Sequence, residues 1–248
     1  MIAWVRRRAW RLGLPLAVSL AAGCAVLERD GRPWWEARRD PSGQAPDPAL
    51  TRQPVLQVYA ARAVGWRGLL AVHTWIALKP EGAVSYTRYE VMGWGVSQGA
   101  PAIRVNRTGP DNYWFGSGPD LLVDRRGDGV EALIARVEAA VASYPYPSTY
   151  RTWPGPNSNT FTAWVGRAVP ELRLELPPTA IGKDYLPGGA VVARTPSGMG
   201  VQLSLFGLAG ILTGWEEGLE VNVLGLIFGV DLKEPALKLP ALGRLGHP

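Results

Sequence analysis

The sequence predicts an α+β fold in which an antiparallel sheet packs against a few helices in a single domain. Three observations lead to this prediction. Hydrophobic residues make up 47% of the 248 residues, which is enough for a sizeable core. Stretches rich in β-forming residues lie between residues 55 and 92. Apolar residues spaced three and four positions apart follow Asp128 and indicate an amphipathic helix.

The excess of basic residues belongs to the N-terminus. The chain has 26 Lys and Arg against 21 Asp and Glu, a net charge of +5. Arg6, Arg7, Arg8 and Arg11 stand in residues 1–23, which contain no acidic residue. The remainder of the chain is therefore almost neutral, and we do not expect it to bind nucleic acid.

The first 24 residues have the order of a secretion signal. The arginines precede a short apolar stretch, Leu12 to Ala22, which is too short for a permanent membrane span. Ala21-Ala22-Gly23-Cys24 resembles a bacterial lipobox, with Ala21 where leucine is usual. The resemblance implies a signal peptide over 1–23 and a lipid on Cys24 that anchors a periplasm-facing protein to the membrane. Alternatively, the signal is an ordinary cleaved one and Cys24 is incidental.

Residues 24–53 are polar and rich in proline, without apolar periodicity. This composition predicts a flexible tether between the membrane and a globular domain over 54–248. Trp34 and Trp35 lie inside the tether, where they dock either on lipid or on the domain.

The elements of the domain follow from periodicity and turn residues. Two longer strands are predicted over Leu69–Leu78 and Tyr86–Met92, paired across the turn at Glu81 and Gly82. Three shorter strands are predicted over Val55–Tyr59, Ile103–Asn106 and Tyr113–Phe115.

Two helices are predicted after these strands. Asp128 resembles the first residue of a capping box, and the helix that follows should bury one stripe of side chains, formed by Leu133, Ile134, Val137 and Val141. Pro145 stops it. The second helix begins in the run Asn157 to Thr160, whose residues favour an N-cap, and ends near Ala168 before Pro170.

The last third of the chain contains two apolar runs, Leu203–Trp215 and Val221–Val230, separated by acidic residues. Glycines within both runs disfavour helices, so we expect strands joined by an acidic turn, a β-rich C-terminal extension. Contact with a membrane interface is the alternative for these runs.

Motif searches exclude several classes of site. The chain has two histidines and one cysteine, with no zinc-binding pattern, so no metal site is expected. It contains neither a Gly-rich dinucleotide motif nor a phosphate-binding P-loop, and no cofactor is expected. A nucleophile elbow is also absent.

One constellation of reactive residues remains. His73 lies in a predicted strand, Glu90 in the next strand, and Ser158 at the start of a helix. A serine in that place gains from the helix dipole, a histidine takes its proton, and a carboxylate orients the imidazole. Asn157 and Asn159 are candidates for binding substrate or an oxyanion. The alternative is that His73 is a core residue and Ser158 a helix cap.

The same segments resemble a known bacterial family. HTWIALKPEG, YTRYEVMGWG, GPDNYWFG, WPGPNSNTF and AIGKDYL are similar to the domain of unknown function 3750, over most of residues 54–246. More distantly, the order of a strand histidine, a strand carboxylate and an N-x-N-x-F block resembles the circularly permuted papain-like superfamily. That superfamily includes cell-wall peptidases and relatives of lecithin–retinol acyltransferase.

The distant resemblance implies a permuted papain-like fold and assigns three roles. His73 matches the base, Ser158 falls at the position of the nucleophilic cysteine, and Glu90 is an orienting group. A serine hydroxyl needs fuller help from a base than a thiol does.

Two functions follow as hypotheses. One is a periplasmic lipoprotein that acts as a serine hydrolase or acyl transferase on amide or ester bonds of the cell envelope. The other is a non-catalytic envelope-binding or structural lipoprotein. For the second, tryptophans near the same segments either line a groove for cell-wall peptide or glycan or pack in the core, namely Trp66, Trp75, Trp94, Trp114, Trp153 and Trp164.

Overall fold

The structure, a computed structural model, describes residues 33–246. The predicted signal peptide over 1–23 and the predicted lipid attachment at Cys24 lie outside the described residues. Within these residues the chain is α+β, with two antiparallel sheets and two α-helices. The predicted α+β class is confirmed, and the permuted papain-like fold implied by the distant resemblance stays a prediction. No helix in the described part of the chain is long and apolar enough to cross a membrane.

The first sheet has five strands in the order β4-β3-β2-β1-β5. The strands are β1 (Val55–Arg62), β2 (Val72–Lys79), β3 (Thr87–Val91), β4 (Ile103–Val105) and β5 (Asp120–Arg126). The central strands alternate their side chains between two apolar clusters, so both faces of the sheet are covered.

Two helices, α1 (Val130–Ala142) and α2 (Ser158–Ala168), pack on one face of this sheet. Their buried side chains, Val137 and Phe161 among them, join Val58 and Ile76 of the strands in the main core. The opposite face carries a second, aromatic cluster that includes Tyr59, Trp75 and Trp114.

The second sheet has seven strands in consecutive order, from β6 to β12. The strands are β6 (Val192–Arg194), β7 (Gly200–Leu205), β8 (Ala209–Gly214), β9 (Gly218–Val223), β10 (Leu226–Asp231), β11 (Ala236–Leu239) and β12 (Gly243–Gly246). This sheet is the predicted β-rich C-terminal region.

Several local predictions need correction. Tyr113–Phe115 forms no regular strand, and Trp114 makes an isolated bridge with Ser117. The cap of α1 is Gly129 (φ 79°), without a side-chain hydrogen bond, because the chain reverses through a left-handed residue there. Ile134, Val137 and Val141 are buried as predicted, but Leu133 is half-buried.

The described part of the predicted tether, residues 33–53, lies against the domain. Asp111 is buried and accepts hydrogen bonds from the Ser42 hydroxyl and from the backbone N–H groups of Gln44 and Ala45. Pro41 forms a β-bridge with Asn112. These polar contacts fix a segment whose composition predicts flexibility.

Candidate functional site

A buried pair of side chains, His73 and Glu90, forms the centre of the site. His73 lies on β2 and Glu90 on β3, and the strand register pairs Glu90 with Trp75, two residues from His73. This register brings His73 Nε2 to 2.9 Å from Glu90 Oε2. Arg88 donates to the same carboxylate oxygen over 2.9 Å, and its other terminal nitrogen donates to the Gly109 carbonyl.

The surroundings determine the charge of each partner. Burial opposes ionisation of Glu90, but the hydrogen bond from His73 and the charge of Arg88 outweigh it and lower the pKa of Glu90. Burial lowers the pKa of His73, although Glu90 acts in the opposite direction. The imidazole is therefore neutral at neutral pH. Because an ionised carboxylate can only accept, Nε2 carries the proton and Nδ1 carries the lone pair.

Aromatic rings fix the orientation of the imidazole. The His73 ring stacks on Trp114, with ring centroids 3.9 Å apart and planes at 11°. Trp94 stacks on the other side of Trp114 at 6.0 Å, and Phe115 meets Trp114 edge-on. His73 therefore has a single orientation in which Nε2 faces Glu90.

Ser158 is the first residue of α2. Asn157 is its N-cap, accepts the backbone N–H groups of Asn159 and Thr160, and forms a complete capping box with Thr160. Asn157 is extended (φ −141°), which is the conformation that an N-cap needs. The N–H of Ser158 is among the first donors of the helix, which have no partner within a helix.

The first turn of α2 is bonded to both neighbours of His73 in the chain. Asn159 donates from Nδ2 to the Val72 carbonyl over 3.0 Å. Thr74 donates from its hydroxyl to the Ser158 carbonyl over 3.2 Å. Because side chains alternate along a strand, Thr74 faces α2, whereas His73 points to the opposite face of the sheet, where its ring stacks on Trp114.

The two asparagines have structural partners. Besides capping the helix, Asn157 donates from Nδ2 to the carbonyls of Thr152 and Ile181. Asn159 donates to Ile181 as well and accepts from Thr74 through Oδ1. Because these bonds engage both amides, we interpret Asn157 and Asn159 as positioning residues, in place of the direct oxyanion contact expected from sequence.

The structure thus brings His73 and Glu90 together and anchors Ser158 beside the strand that carries His73. Within the described residues no hydrogen bond joins the Ser158 side chain to His73. The catalytic assignment of Ser158 stays a prediction.

A cavity of about 420 Å³ lies beside Glu90. Its walls include Trp94, Trp114 and Phe115, together with the cationic side chains of Arg39, Arg104 and Arg107. Two buried polar atoms in the lining residues, Glu90 Oε1 and Thr108 Oγ1, have no hydrogen-bond partner in the described chain.

Sequence reasoning identified part of this cavity. Trp94 and Trp114 were candidates for a groove, because aromatic residues cluster near the reactive residues. The arginines were not identified. Arg39 lies in the predicted tether, Arg104 lies in the three-residue strand β4, and Arg107 follows that strand, in a segment with no motif. No group of three or more potential metal ligands occurs among residues 33–246.

Comparisons with known proteins give one match. Curated proteins and solved structures yield none. The family model that matches has the description "Protein of unknown function (DUF3750)" and covers residues 53–185, which include His73, Glu90 and Ser158. The chain therefore belongs to the DUF3750 family.

Proposed function

We propose that this protein is a non-catalytic binding protein of the cell envelope. The observation that carries the proposal is the cavity of about 420 Å³ beside Glu90, whose lining contains stacked tryptophan rings and buried polar atoms without a hydrogen-bond partner in the described chain. These features support a ligand site on the aromatic face of the first sheet.

A second candidate is an acyl hydrolase or acyl transferase of the cell envelope that uses Ser158 as nucleophile, His73 as base and Glu90 as orienting carboxylate. The 2.9 Å bond from His73 Nε2 to Glu90 favours it, because this bond orients a neutral imidazole. Since His73 and α2 lie on opposite faces of the sheet, this candidate requires a rearrangement that brings Ser158 Oγ within hydrogen-bond reach of His73 Nδ1.

A fluorophosphonate probe tests the nucleophile directly. The binding proposal predicts that the wild-type chain is not labelled, whereas the enzyme would be labelled on Ser158 in wild type and not in Ser158→Ala. In the enzyme, His73→Gln should reduce the labelling rate at least 100-fold, since general-base catalysis contributes about 10²–10⁴-fold. Ser143→Ala is the matched control, because that hydroxyl bonds only to its own helix at Ala140. Labelling that persists in Ser158→Ala would disprove the assignment.

A wild-type chain that binds envelope fragments but is never labelled by the probe supports the binding protein. Labelling of wild type that is lost in both Ser158→Ala and His73→Gln would overturn this proposal in favour of the enzyme.

For the location, we propose a lipid-anchored protein that faces the periplasm, on the strength of the basic leader and Ala21-Ala22-Gly23-Cys24. Intact-mass measurement of protein extracted from membranes tests it. A mature N-terminus at Cys24 with added acyl chains is expected, and Cys24→Ser should release the protein from the membrane fraction. A mature N-terminus elsewhere would contradict the proposal.

A further inference from the structure

We infer that the cavity beside Glu90 binds a sugar that carries a carboxylate. This inference rests on the proposed function in one respect, that the ligand comes from the cell envelope. The cavity, at about 420 Å³, lies within the range of roughly 300–1,000 Å³ that is usual for small-molecule sites.

Buried polar atoms at the Glu90 end of the cavity favour a ligand that donates hydrogen bonds. Glu90 is 1% exposed, and its Oε2 is shared by His73 and Arg88. Its Oε1 has no partner within the described chain, although a buried carboxylate oxygen without a hydrogen bond is costly. Thr108 Oγ1 is a second buried atom in the lining without a partner. A hydroxyl or amide N–H of a ligand provides the missing hydrogen bond to each of these oxygens.

The aromatic side chains in the cavity walls favour a ligand ring with an apolar face. Trp94 and Trp114 stack at 6.0 Å with planes 10° apart, and Phe115 meets both rings edge-on. Trp94 is half exposed, so part of its surface is available to a ligand. Sugar rings offer apolar C–H faces together with hydroxyl and amide donors.

The positive charge of the cavity lining favours an anionic ligand. Arg39, Arg104 and Arg107 contribute to its lining, and Glu90 is the acidic residue among the lining side chains. The charge of Glu90 is offset by its contact with Arg88. Arginine side chains form paired hydrogen bonds to carboxylates, so we place the carboxylate of the ligand beside these arginines.

Calorimetric titration with two matched sugars tests the inference. N-Acetylmuramic acid carries a carboxylate on a lactyl group, and N-acetylglucosamine lacks this group. We expect the acid to bind at least tenfold more tightly to the full chain, and Arg107→Ala to reduce the difference to less than threefold. Trp94→Ala should weaken both sugars. Arg136→Ala is the control, because Arg136 lies on α1 and pairs with Glu171 outside the cavity.

The titration is also run on Ser158→Ala, which separates binding from catalysis. Retained selectivity in this variant together with absent probe labelling of wild type would support the cavity while disproving the enzyme. Equal affinity for the two sugars, absence of binding to either, or selectivity that survives Arg107→Ala would each overturn the inference.

The second sheet carries its apolar side chains on the outside. One row of register partners crosses five strands on the outward face, formed by Val192, Leu203, Ile211, Val221 and Phe228. The first four of these are exposed and Phe228 is half-buried. The inward face is buried and largely polar, with Gln202, Ser204, Glu220 and Asn222 beside the apolar Leu212 and Ile227. This distribution is the reverse of the usual one.

The outward face is large and free of charge over its central strands. The outward positions of β7, β8 and β9 hold apolar side chains and Thr213. Seven strands about 4.8 Å apart and about 20 Å long make a face of roughly 600 Å². An exposed apolar patch of that size marks an interaction site.

We propose that this face binds the same face of a second copy of the chain. Two sheets pack face to face at about 10 Å, and two faces of this size bury roughly 1,200 Å², the lower limit of a specific interface. A face without charge is self-complementary under a two-fold axis. Lipid hydrocarbon fits less well, since β6 and β12 are open edges of the sheet and open edges do not lie in hydrocarbon.

Cysteine cross-linking of the full chain in its membrane tests this interface. Leu203→Cys, Ile211→Cys and Val221→Cys, made singly, should give a product of twice the mass of the mature chain with a short bismaleimide linker. Val84→Cys is the control, because Val84 is exposed in the turn after β2, away from this sheet.

A charged substitution tests the same interface without a linker. Val221→Asp should reduce the dimer fraction at least tenfold in sedimentation experiments, and Val84→Asp should leave it unchanged. A chain that stays monomeric and is not cross-linked at any of the three positions overturns the proposal. A monomer that binds phosphatidylglycerol vesicles, and loses that binding in Val221→Asp, identifies lipid as the occupant instead.

Discussion

Three charged side chains beneath the second sheet provide the sharpest test of what stabilises it. Glu220 lies 2.6 Å from Lys183 Nζ and 3.0 Å from Lys238 Nζ, and all three side chains are at most 1% exposed. Burial lowers the pKa of Lys238, but Glu220 and Glu175 outweigh it and raise that pKa, so the ammonium group stays charged. Glu220 on β9 thus contacts two buried ammonium groups, those of Lys183 and of Lys238 on β11, and Glu175 is a second carboxylate at Lys238.

The substitution Glu220→Gln keeps the shape of the side chain and removes its charge. Breaking a buried ion pair leaves an uncompensated charge and costs about 3–5 kcal/mol. For a chain of this size each kcal/mol lowers Tm by about 2–4 °C, so the expected decrease is roughly 6–20 °C. Lys238 retains Glu175, and Lys183 retains a hydrogen bond to the Leu176 carbonyl, which keeps the cost near the stated range.

Thermal unfolding followed by circular dichroism measures this decrease, with urea unfolding as a second measurement. Glu171→Gln is the matched control, because Glu171 pairs with Arg136 on the surface and exposed pairs are worth about 0–1 kcal/mol. The double variant Glu220→Leu with Lys183→Met removes both charges and should recover part of the loss. A Tm for Glu220→Gln no lower than that of Glu171→Gln would refute the reasoning.

Three further predictions concern the first sheet and its helices. Asn157→Ala should cost about 2 kcal/mol in urea unfolding, because it removes a helix cap, whereas Asp128→Ala should change stability by less than about 0.5 kcal/mol. Ile134→Ala should cost about 2–5 kcal/mol and more than Leu133→Ala, since Ile134 is buried and Leu133 is only half-buried. His73 should remain neutral at about pH 6.5, where an unshifted histidine is half protonated, which ¹⁵N NMR of the imidazole checks. Because its pKa is lowered by folding, its contribution to stability is lost as the pH falls below about 6.5; an imidazole that titrates at its ordinary pKa would contradict this.

Helix positions and the paired strands could be predicted from the sequence because local patterns determine them. The cap at Asn157 and the helix end at Ala168 follow from side chains that act within one turn. Strand β5 was missed because its sequence, DLLVDRR, is half charged, and it pairs at an edge with β1, where charged side chains reach water. The packing of residues 33–53 was missed because it depends on Asp111, which is distant in the chain.

The candidate site, like the fold, could be predicted only where neighbouring residues in the sequence determine it. His73 and Glu90 come together because alternation and a short turn fix the register of β2 and β3, which are neighbours in sequence. The arginines of the cavity come from segments that meet only in the folded chain, so no spacing in the sequence indicates them.

The second sheet shows why apolar runs alone did not predict its faces. In a sheet with one solvated side, Gln202, Ser204, Glu220 and Asn222 would be assigned to water and their neighbours to the core. The structure reverses this assignment, because the layer beneath the sheet presents Lys183 and Asp184, which need polar partners. The buried ions therefore decide which face of each strand turns inward. The apolar face is turned outward as a consequence, and a surface of that kind requires a partner to exclude water from it.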